Sequence, residues 1–393
     1  MSAIFFLLFV VLWLLGFLLL WSVPGCPEPG RSPLPPGLLP SISVIIPARN
    51  EEENLPRILG SLRDQSVAPK EVVVVDDHSE DGTASVARRG GARIVQSPPL
   101  PSDWFGKTWA CWQGARTSSG ELLIFLDADT VLEPDGLHRL AAAWVERGGL
   151  VSVWPYHRMR RAYERLSAFI NIIVVASVGV FTPLGRRRRP RGAFGPCLVC
   201  SRSDYFELGG HERVRADILE DMAFGRLFSR AGRSVRLFGG RGTIHFRMYP
   251  RGPASIVEGF GKNLATGASR ASPLLLLVFL GWITGGFIAT FYVVYAVVHG
   301  STVWTVLWLG ADLMYAAQLL WILARLGNFG PGTALGFQVP LFFFVFVFLV
   351  SLARTYVLGQ VAWKGRRITI RSKLASRSNR RSRRLNGGQK DVE

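Results

Sequence analysis

A chain of 393 residues that is 49% hydrophobic and carries a formal charge of +18 has room for one sizeable catalytic domain plus several apolar segments, which excludes an ordinary soluble enzyme. Four cysteines, Cys26, Cys111, Cys197 and Cys200, are too few for a disulfide framework in a chain of this size, and the zinc-type spacing of Cys197 and Cys200 lacks a second pair. The basic residues do not point to nucleic acid: they cluster beside apolar runs, at Arg186, Arg187, Arg188, Arg189 and Arg191 and again from Lys364 through Arg384 to Lys390, where anionic headgroups would meet them.

Residues 4–23 (IFFLLFVVLWLLGFLLLWSV) carry no charge and, as a helix, reach about 30 Å, the thickness of a bilayer core. No Lys or Arg precedes the run and no small-residue cleavage site comes before Pro24, so residues 1–23 are expected to form an uncleaved transmembrane anchor. Residues 24–40 are rich in proline and glycine and read as a stiff linker to the next domain.

That domain starts at Ser41. SISVIIP (41–47) and EVVVVDD (71–77) have the β-branched character of strands buried on both faces of a parallel sheet. Between them, 51–65 has helical spacing, with Leu55, Ile58, Leu59 and Leu62 on one face. The pattern repeats with helices at 83–90 and 109–117 and strands at 92–96 and 121–126, which predicts an α/β fold with a doubly wound, Rossmann-like sheet. Ligands of such sheets bind beyond the carboxyl ends of the strands, where Asp76-Asp77 and Asp127-Ala-Asp129 fall.

Residues 160–182 are apolar with a charged beginning. A crossing there would separate Asp129 from Glu220-Asp221 by a bilayer, so the segment is expected to be an interfacial helix, followed by a second interfacial region at 251–272. Three apolar candidates, 274–298, 302–324 and 335–358, then predict two or three membrane helices within 273–358. If all three cross, the basic tail 359–393 ends opposite the enzyme domain, against the tendency of Lys and Arg to stay cytoplasmic. Gln338, Pro340 and Arg354 in the last candidate and Asp312 in the second leave either open to a re-entrant or interfacial reading.

Two carboxylates one residue apart at a strand end suit a hard cation, Mg²⁺ or Mn²⁺, which one or two carboxylates hold together with phosphate oxygens. Alone, such a tripeptide is commonly a turn. The order of elements is more specific: Pro47-Ala-Arg49-Asn-Glu51, then Asp76-Asp77 within VDDHSEDGT, then Gly106-Lys107, then Asp127-Ala-Asp129, then Glu220-Asp221. Over residues 41 to about 250 this series resembles the family 2 inverting glycosyltransferases of GT-A fold, a mixed sheet here flanked by a membrane anchor and C-terminal transmembrane helices.

The resemblance implies that Pro47, Arg49 and Glu51, with Asp76 or Asp77, hold the uracil and ribose of a UDP-sugar. It also implies that Asp127 sits near the ribose and that Asp129 binds the metal, with Asp127 beside it. Lys107, read as lying in a loop ahead of a helix, is placed to offer charge to the diphosphate. Asp221, with Glu220, is the expected general base, although an acidic pair in a first helical turn also favours the macrodipole. Arg247 is placed to neutralise the leaving diphosphate.

Further stretches, among them Trp104-Phe-Gly-Lys107, Ala193-Phe-Gly-Pro196, Gly209-Gly-His211, Phe246-Arg-Met-Tyr249, 258–262 and 363–366, resemble the 4,4'-diaponeurosporenoate glycosyltransferase group. That resemblance implies glucose transfer to the carboxyl end of an apolar C30 carotenoid acid on the route to staphyloxanthin-like pigments, by a multi-pass cell-membrane protein with a cytoplasmic catalytic domain. An acceptor already ionised at neutral pH would need orientation more than a base. The alternatives are the same chemistry on a polyprenyl phosphate, glycolipid or polysaccharide, and a non-catalytic membrane scaffold that keeps a nucleotide-binding domain.

Overall fold

The computed structural model describes residues 2–28, 39–185, 188–217, 219–261, 264–357, 360–363 and 366–369. Most of the Pro-rich run, Arg186, Arg187, Lys262 and nearly all of the basic tail lie outside the described residues.

Among the described residues, ten of the twelve strands build the two sheets of the enzyme domain: β1 (Ile42–Ala48), β2 (Glu71–Asp76), β3 (Arg93–Gln96), β4 (Leu122–Leu126), β5 (Thr130–Leu132), β6 (Leu150–Trp154), β7 (Tyr156–His157), β8 (Cys197–Ser201), β9 (Val235–Gly239) and β10 (Ile244–Phe246). Seven form a sheet in the order β3-β2-β1-β4-β8-β6-β9, in which only β8 runs antiparallel to its neighbours. The other three form a small sheet, β5-β10-β7. The sheet is therefore mixed, as the GT-A resemblance implies.

The β-branched runs lie inside because helices cover both faces: Val44, Ile45, Ile46, Val73, Val74 and Val75 are inaccessible to solvent. Strand alternation sends Leu198 and Cys200 into one apolar cluster and Cys197 and Val199 into the other. Cys197 and Cys200 thus face opposite sides of the sheet, and all four cysteines are buried free thiols.

Three helical expectations need correction. The helix expected at 51–65 is confined to Leu55–Arg63, because Asn50 takes φ +54° and the chain needs a further turn after it. The helix expected at 109–117 begins at Gly106, after extended Phe105, so Lys107 lies in its first turn rather than in a loop. Residues 160–182 are not one helix. A 3₁₀ segment, Ala162–Ser167, leads into the helix Ala168–Ala176, which stops before Gly179 at φ +76°. Phe169, Ile170, Ile172 and Val175 are fully buried inside the protein.

The chain after the anchor does not hang free. Gly25 bridges Gly239 on edge strand β9, Gly239 N donates to Pro24 O at 2.8 Å, and Arg139 donates to the carbonyls of Cys26 and Pro27 at 3.1 Å. Residues 24–27 thus belong to the enzyme domain and are not part of a spacer.

Four helices are long and apolar enough to cross a membrane: Ser2–Leu19, Pro273–Val298, Thr302–Leu323 and Gln338–Thr355. Their outward residues, including Leu7, Leu277, Phe291, Val306 and Phe342, are exposed, as lipid-facing side chains would be.

Candidate active site

Because β1 pairs in parallel with both β2 and β4, the chain ends carrying Pro47, Asp76-Asp77 and Asp127 emerge along one sheet edge. The loops after β1 and β2 are laced together. Asn50 N donates to Ser79 Oγ at 3.0 Å, Glu80 N to Asn50 Oδ1 at 2.8 Å, and Glu51 N to Thr83 Oγ1 at 2.8 Å. Arg49 Nη1 donates to the Asp77 carbonyl at 2.9 Å, and Asp77 N to Ala48 O at 2.8 Å. Asp76 is buried and accepts the Ser79 amide at 3.0 Å, so its carboxylate fixes the turn that presents this edge. Glu51 Oε2 accepts from Asn54 at 2.7 Å at the start of the next helix.

After β4 the chain turns sharply. Thr130 donates to the Asp127 carbonyl through both its amide, at 3.1 Å, and its hydroxyl, at 2.7 Å. The turn buries Ala128 and leaves Asp127 and Asp129 half-buried at the sheet edge.

Asp127 joins a charged cluster. Lys107 Nζ lies 2.6 Å from Asp127 Oδ1, 3.9 Å from Glu220 Oε1 and 3.5 Å from the Gly195 carbonyl. Asp221 accepts the Gly195 amide at 3.1 Å and its neighbour Met222's amide at 2.7 Å, in the first turn of the helix Glu220–Arg230. Pro47, Lys107, Cys111, Phe125, Asp127 and Gly195, with Glu220, Asp221 and His211, line one cavity.

Burial and the charge of Asp221 push Glu220 up to about 7, although Lys107 pulls it back. Burial raises Asp221 as well, against the two amides it accepts and the Lys107 charge. For Lys107, burial alone would favour the neutral amine, but Asp127 and Glu220 outweigh it and hold the lysine above its ordinary range. The cavity therefore holds a fixed cation beside a carboxylate pair in which Glu220 gives up its proton near neutrality, the makings of an acid–base site.

Gly195 and His211, both in the lining, carry no role in the sequence reading. A side chain at Gly195 would place its Cβ 3.3 Å from Lys107 Nζ and 3.4 Å from Asp221, so anything larger than glycine there crowds both charged groups. His211 lies beside Phe125 and Phe224 with ring centroids 5.0 and 4.9 Å away, and Tyr205 Oη sits 2.9 Å from its Nδ1. Burial lowers His211 to about 3, so it is a neutral imidazole in the cavity wall. The only signals for them were the AFGP tetrapeptide and the GGH tripeptide.

Arg247 Nε donates to Glu164 Oε1 at 2.9 Å, joining the residue after β10 to the 3₁₀ segment. The Glu164 side chain is fully buried. Burial would raise its carboxyl, but Arg247 and the amides of Arg160 and Arg161 overcome this and hold it below its ordinary value.

Among the described residues, no three His, Cys, Asp or Glu converge to hold a metal unaided. A hard cation shared between a protein carboxylate and a diphosphate needs no such cage, and Asp127 and Asp129 at the open edge have the right chemistry for it.

Residues 43–201 match the profile of Glycosyl transferase family 2. The 4,4'-diaponeurosporenoate glycosyltransferase of Staphylococcus haemolyticus is 35% identical over 338 residues, covering 84% of this chain and 89% of that protein. Its counterpart in Staphylococcus aureus strain MRSA252 is 34% identical over 84% of this chain and 88% of its own length. Among solved structures, a mannosyltransferase from Pyrobaculum calidifontis in complex with GDP-Man and Mn²⁺ shares the fold at a TM-score of 0.51 and 18% identity, covering 90% of this chain and 97% of that one.

Proposed function

This chain belongs to glycosyltransferase family 2, and from that premise we propose that it moves a hexose, glucose in the first instance, from a UDP-sugar to an apolar lipid acceptor with inversion. The acceptor we propose is the carboxyl of a C30 carotenoid acid. The observation that carries the reading is the cavity at the sheet edge, where Lys107, Asp127, Glu220 and Asp221 meet. Identity of about a third with the diaponeurosporenoate enzymes over most of both chains supports the choice of acceptor.

In this reading the loops around Pro47, Arg49, Glu51, Asp76 and Asp77 hold the nucleoside, and Asp127 lies near the ribose. Asp129, with Asp127, would hold Mg²⁺ or Mn²⁺, which when bound neutralises the diphosphate. Lys107 offers positive charge to the departing diphosphate. Asp221, oriented by two amides, receives a proton from the acceptor where the acceptor is a hydroxyl and orients it where it is a carboxylate. Arg247, which gives Nε and Nη2 to Glu164, would offer its remaining charge to the leaving diphosphate.

The protein is proposed to be multi-pass in the cell membrane with the enzyme domain cytoplasmic. The acceptor then enters from the bilayer beside the Ala168–Ala176 helix and the C-terminal segments. Protein in detergent with Mn²⁺ should release UDP from UDP-glucose, and glucosylate 4,4'-diaponeurosporenoate, faster than it acts on UDP-galactose, UDP-N-acetylglucosamine or GDP-mannose. Turnover only with polyprenyl phosphate or a glycolipid would replace the acceptor, and no release from any donor would defeat the reading.

A further inference from the structure

Three of the long apolar helices form an antiparallel bundle. Phe5 meets Tyr292 at 5.0 Å and Phe6 meets Trp308 at 5.3 Å toward one end. Phe17 meets Trp321 at 5.5 Å toward the other, from which the chain continues to Gly25 and the enzyme sheet. The Thr302–Leu323 helix also finishes on that enzyme side. His157 N donates to Leu326 O at 2.8 Å, Asn328 N to His157 O at 3.0 Å, and the Asn328 side chain bonds Met159 N and O at 2.6 and 3.1 Å.

The fourth helix follows another path. Nine residues beyond this docked asparagine, Phe337 already stacks against Tyr315, with ring centroids 4.6 Å apart. Gln338 then donates from Nε2 to both oxygens of Asp312, at 3.2 and 3.3 Å, and to Thr290 Oγ1 at 3.2 Å. Thr290 donates in turn to Asp312 at 3.3 Å. Asp312 lies near the middle of its 22-residue helix, about 15 Å from either end at about 1.5 Å per residue. The helix Gln338–Leu352 therefore starts at mid-depth.

Its partners fix the direction it takes from there. Phe342 packs on Phe287 and then Phe344 on Phe279, both at 5.3 Å, the second in the early turns of Pro273–Val298. Ser351 Oγ accepts the Ala265 amide at 3.0 Å, in the short helix that precedes that span. The Arg354 guanidinium lies against Gly261. Each contact is nearer the enzyme side than the one before.

We propose that residues 329–357 form a re-entrant hairpin and not a fourth crossing, an inference that rests on the membrane placement above. A helix beginning inside a bilayer exposes backbone amides that lipid cannot satisfy, so it is tolerated only where protein surrounds its start. Here Pro340 in the first turn has no amide to satisfy, and the carboxylate of Asp312 faces the positive end of the helix dipole. The proposal gives Asp312 a purpose inside an otherwise apolar span. It also brings the chain out on the enzyme side, the side that a following sequence with eleven Lys and Arg between 364 and 390 favours.

The test uses single cysteines in the full-length protein: His299→Cys between the two long spans, Arg88→Cys on the enzyme domain, and a cysteine appended after Glu393. The four native thiols are buried, so a membrane-impermeant maleimide reads the added ones. In intact cells position 299 should react, whereas position 88 and the appended residue should react only after permeabilisation. If the appended cysteine reacts together with 299 while 88 is protected, the last helix crosses and the hairpin is wrong. Reaction at 88 and the appended site with 299 protected would reverse the orientation and keep the hairpin. Protection of all three, with the protein removed from membranes by alkaline carbonate, would overturn the membrane placement itself and the hairpin with it.

Discussion

Lys107 Nζ and Asp127 Oδ1 stand 2.6 Å apart across the mouth of the cavity, joining the first turn of the Gly106–Thr117 helix to the end of the central strand β4. This contact fixes the one lysine of the cavity lining where a diphosphate would depart. Lys107→Met should lower kcat/KM by about 10²-fold, the scale for losing a preorganised electrostatic group. The measurement is UDP release at saturating Mn²⁺; a change below threefold would remove Lys107 from the site.

The pH dependence follows from the same lysine. With a hydroxyl acceptor, proton acceptance by the Glu220/Asp221 pair should fail as pH drops through about 7, giving kcat/KM an acidic limb that belongs to the pair. Because Lys107 lowers Glu220, Lys107→Met should move that limb to higher pH. A limb that stays put would show that another group titrates.

Stability should run the opposite way with pH. The folded protein holds the Glu220 proton more tightly than the unfolded chain, whose carboxyl has the ordinary value of 4.5. Between that value and about 7 the folded state binds more protons, so this group's contribution to stability falls as pH rises. Thermal unfolding in detergent should show Glu220→Gln with a flatter loss of Tm from pH 5 to pH 8.

Asp221→Asn keeps the shape of the first turn and removes the base. With a hydroxyl acceptor, kcat should fall by about 10² to 10⁴. With a carotenoid carboxylate, already ionised, the loss should stay within about tenfold if the residue only orients the acceptor. Comparing the two acceptors on one preparation separates the roles. Asp129→Asn should abolish the response to Mn²⁺ in both cases.

Glu164 and Arg247 make a structural prediction. Removing one partner of a buried pair strands the other, at a cost of about 3 kcal/mol or more. Glu164→Gln should lower the Tm, and the double variant with Arg247→Met should recover part of it. Equal Tm values for wild type and Glu164→Gln would mean that the pair contributes little.

The strands and the sheet edge were legible in the sequence because β-branched runs such as Val72–Val75 have only one comfortable place, between two layers of helices. The DxD turn and the Glu220-Asp221 helix start were legible for a similar reason: local chemistry decides them. Gly195 and His211 were not, because their importance comes from neighbours distant in sequence, Asp221 for one and Phe125 for the other. Residues 160–182 misled because uniform apolarity does not separate a helix facing lipid from one sealed inside protein.

The bridge between Gly25 and Gly239 changes what the proline-rich run is for. Since the start of that run, at Pro24 and Gly25, is already clamped to the edge of β9, the rest of the run sets no distance between the Ser2–Leu19 helix and the cavity. The separation of the enzyme sheet from the Ser2–Leu19 helix is set instead by the few residues from Leu19 to Gly25, which act as a fixed gauge. Were that helix set in a bilayer, the gauge would hold the cavity at one height above it.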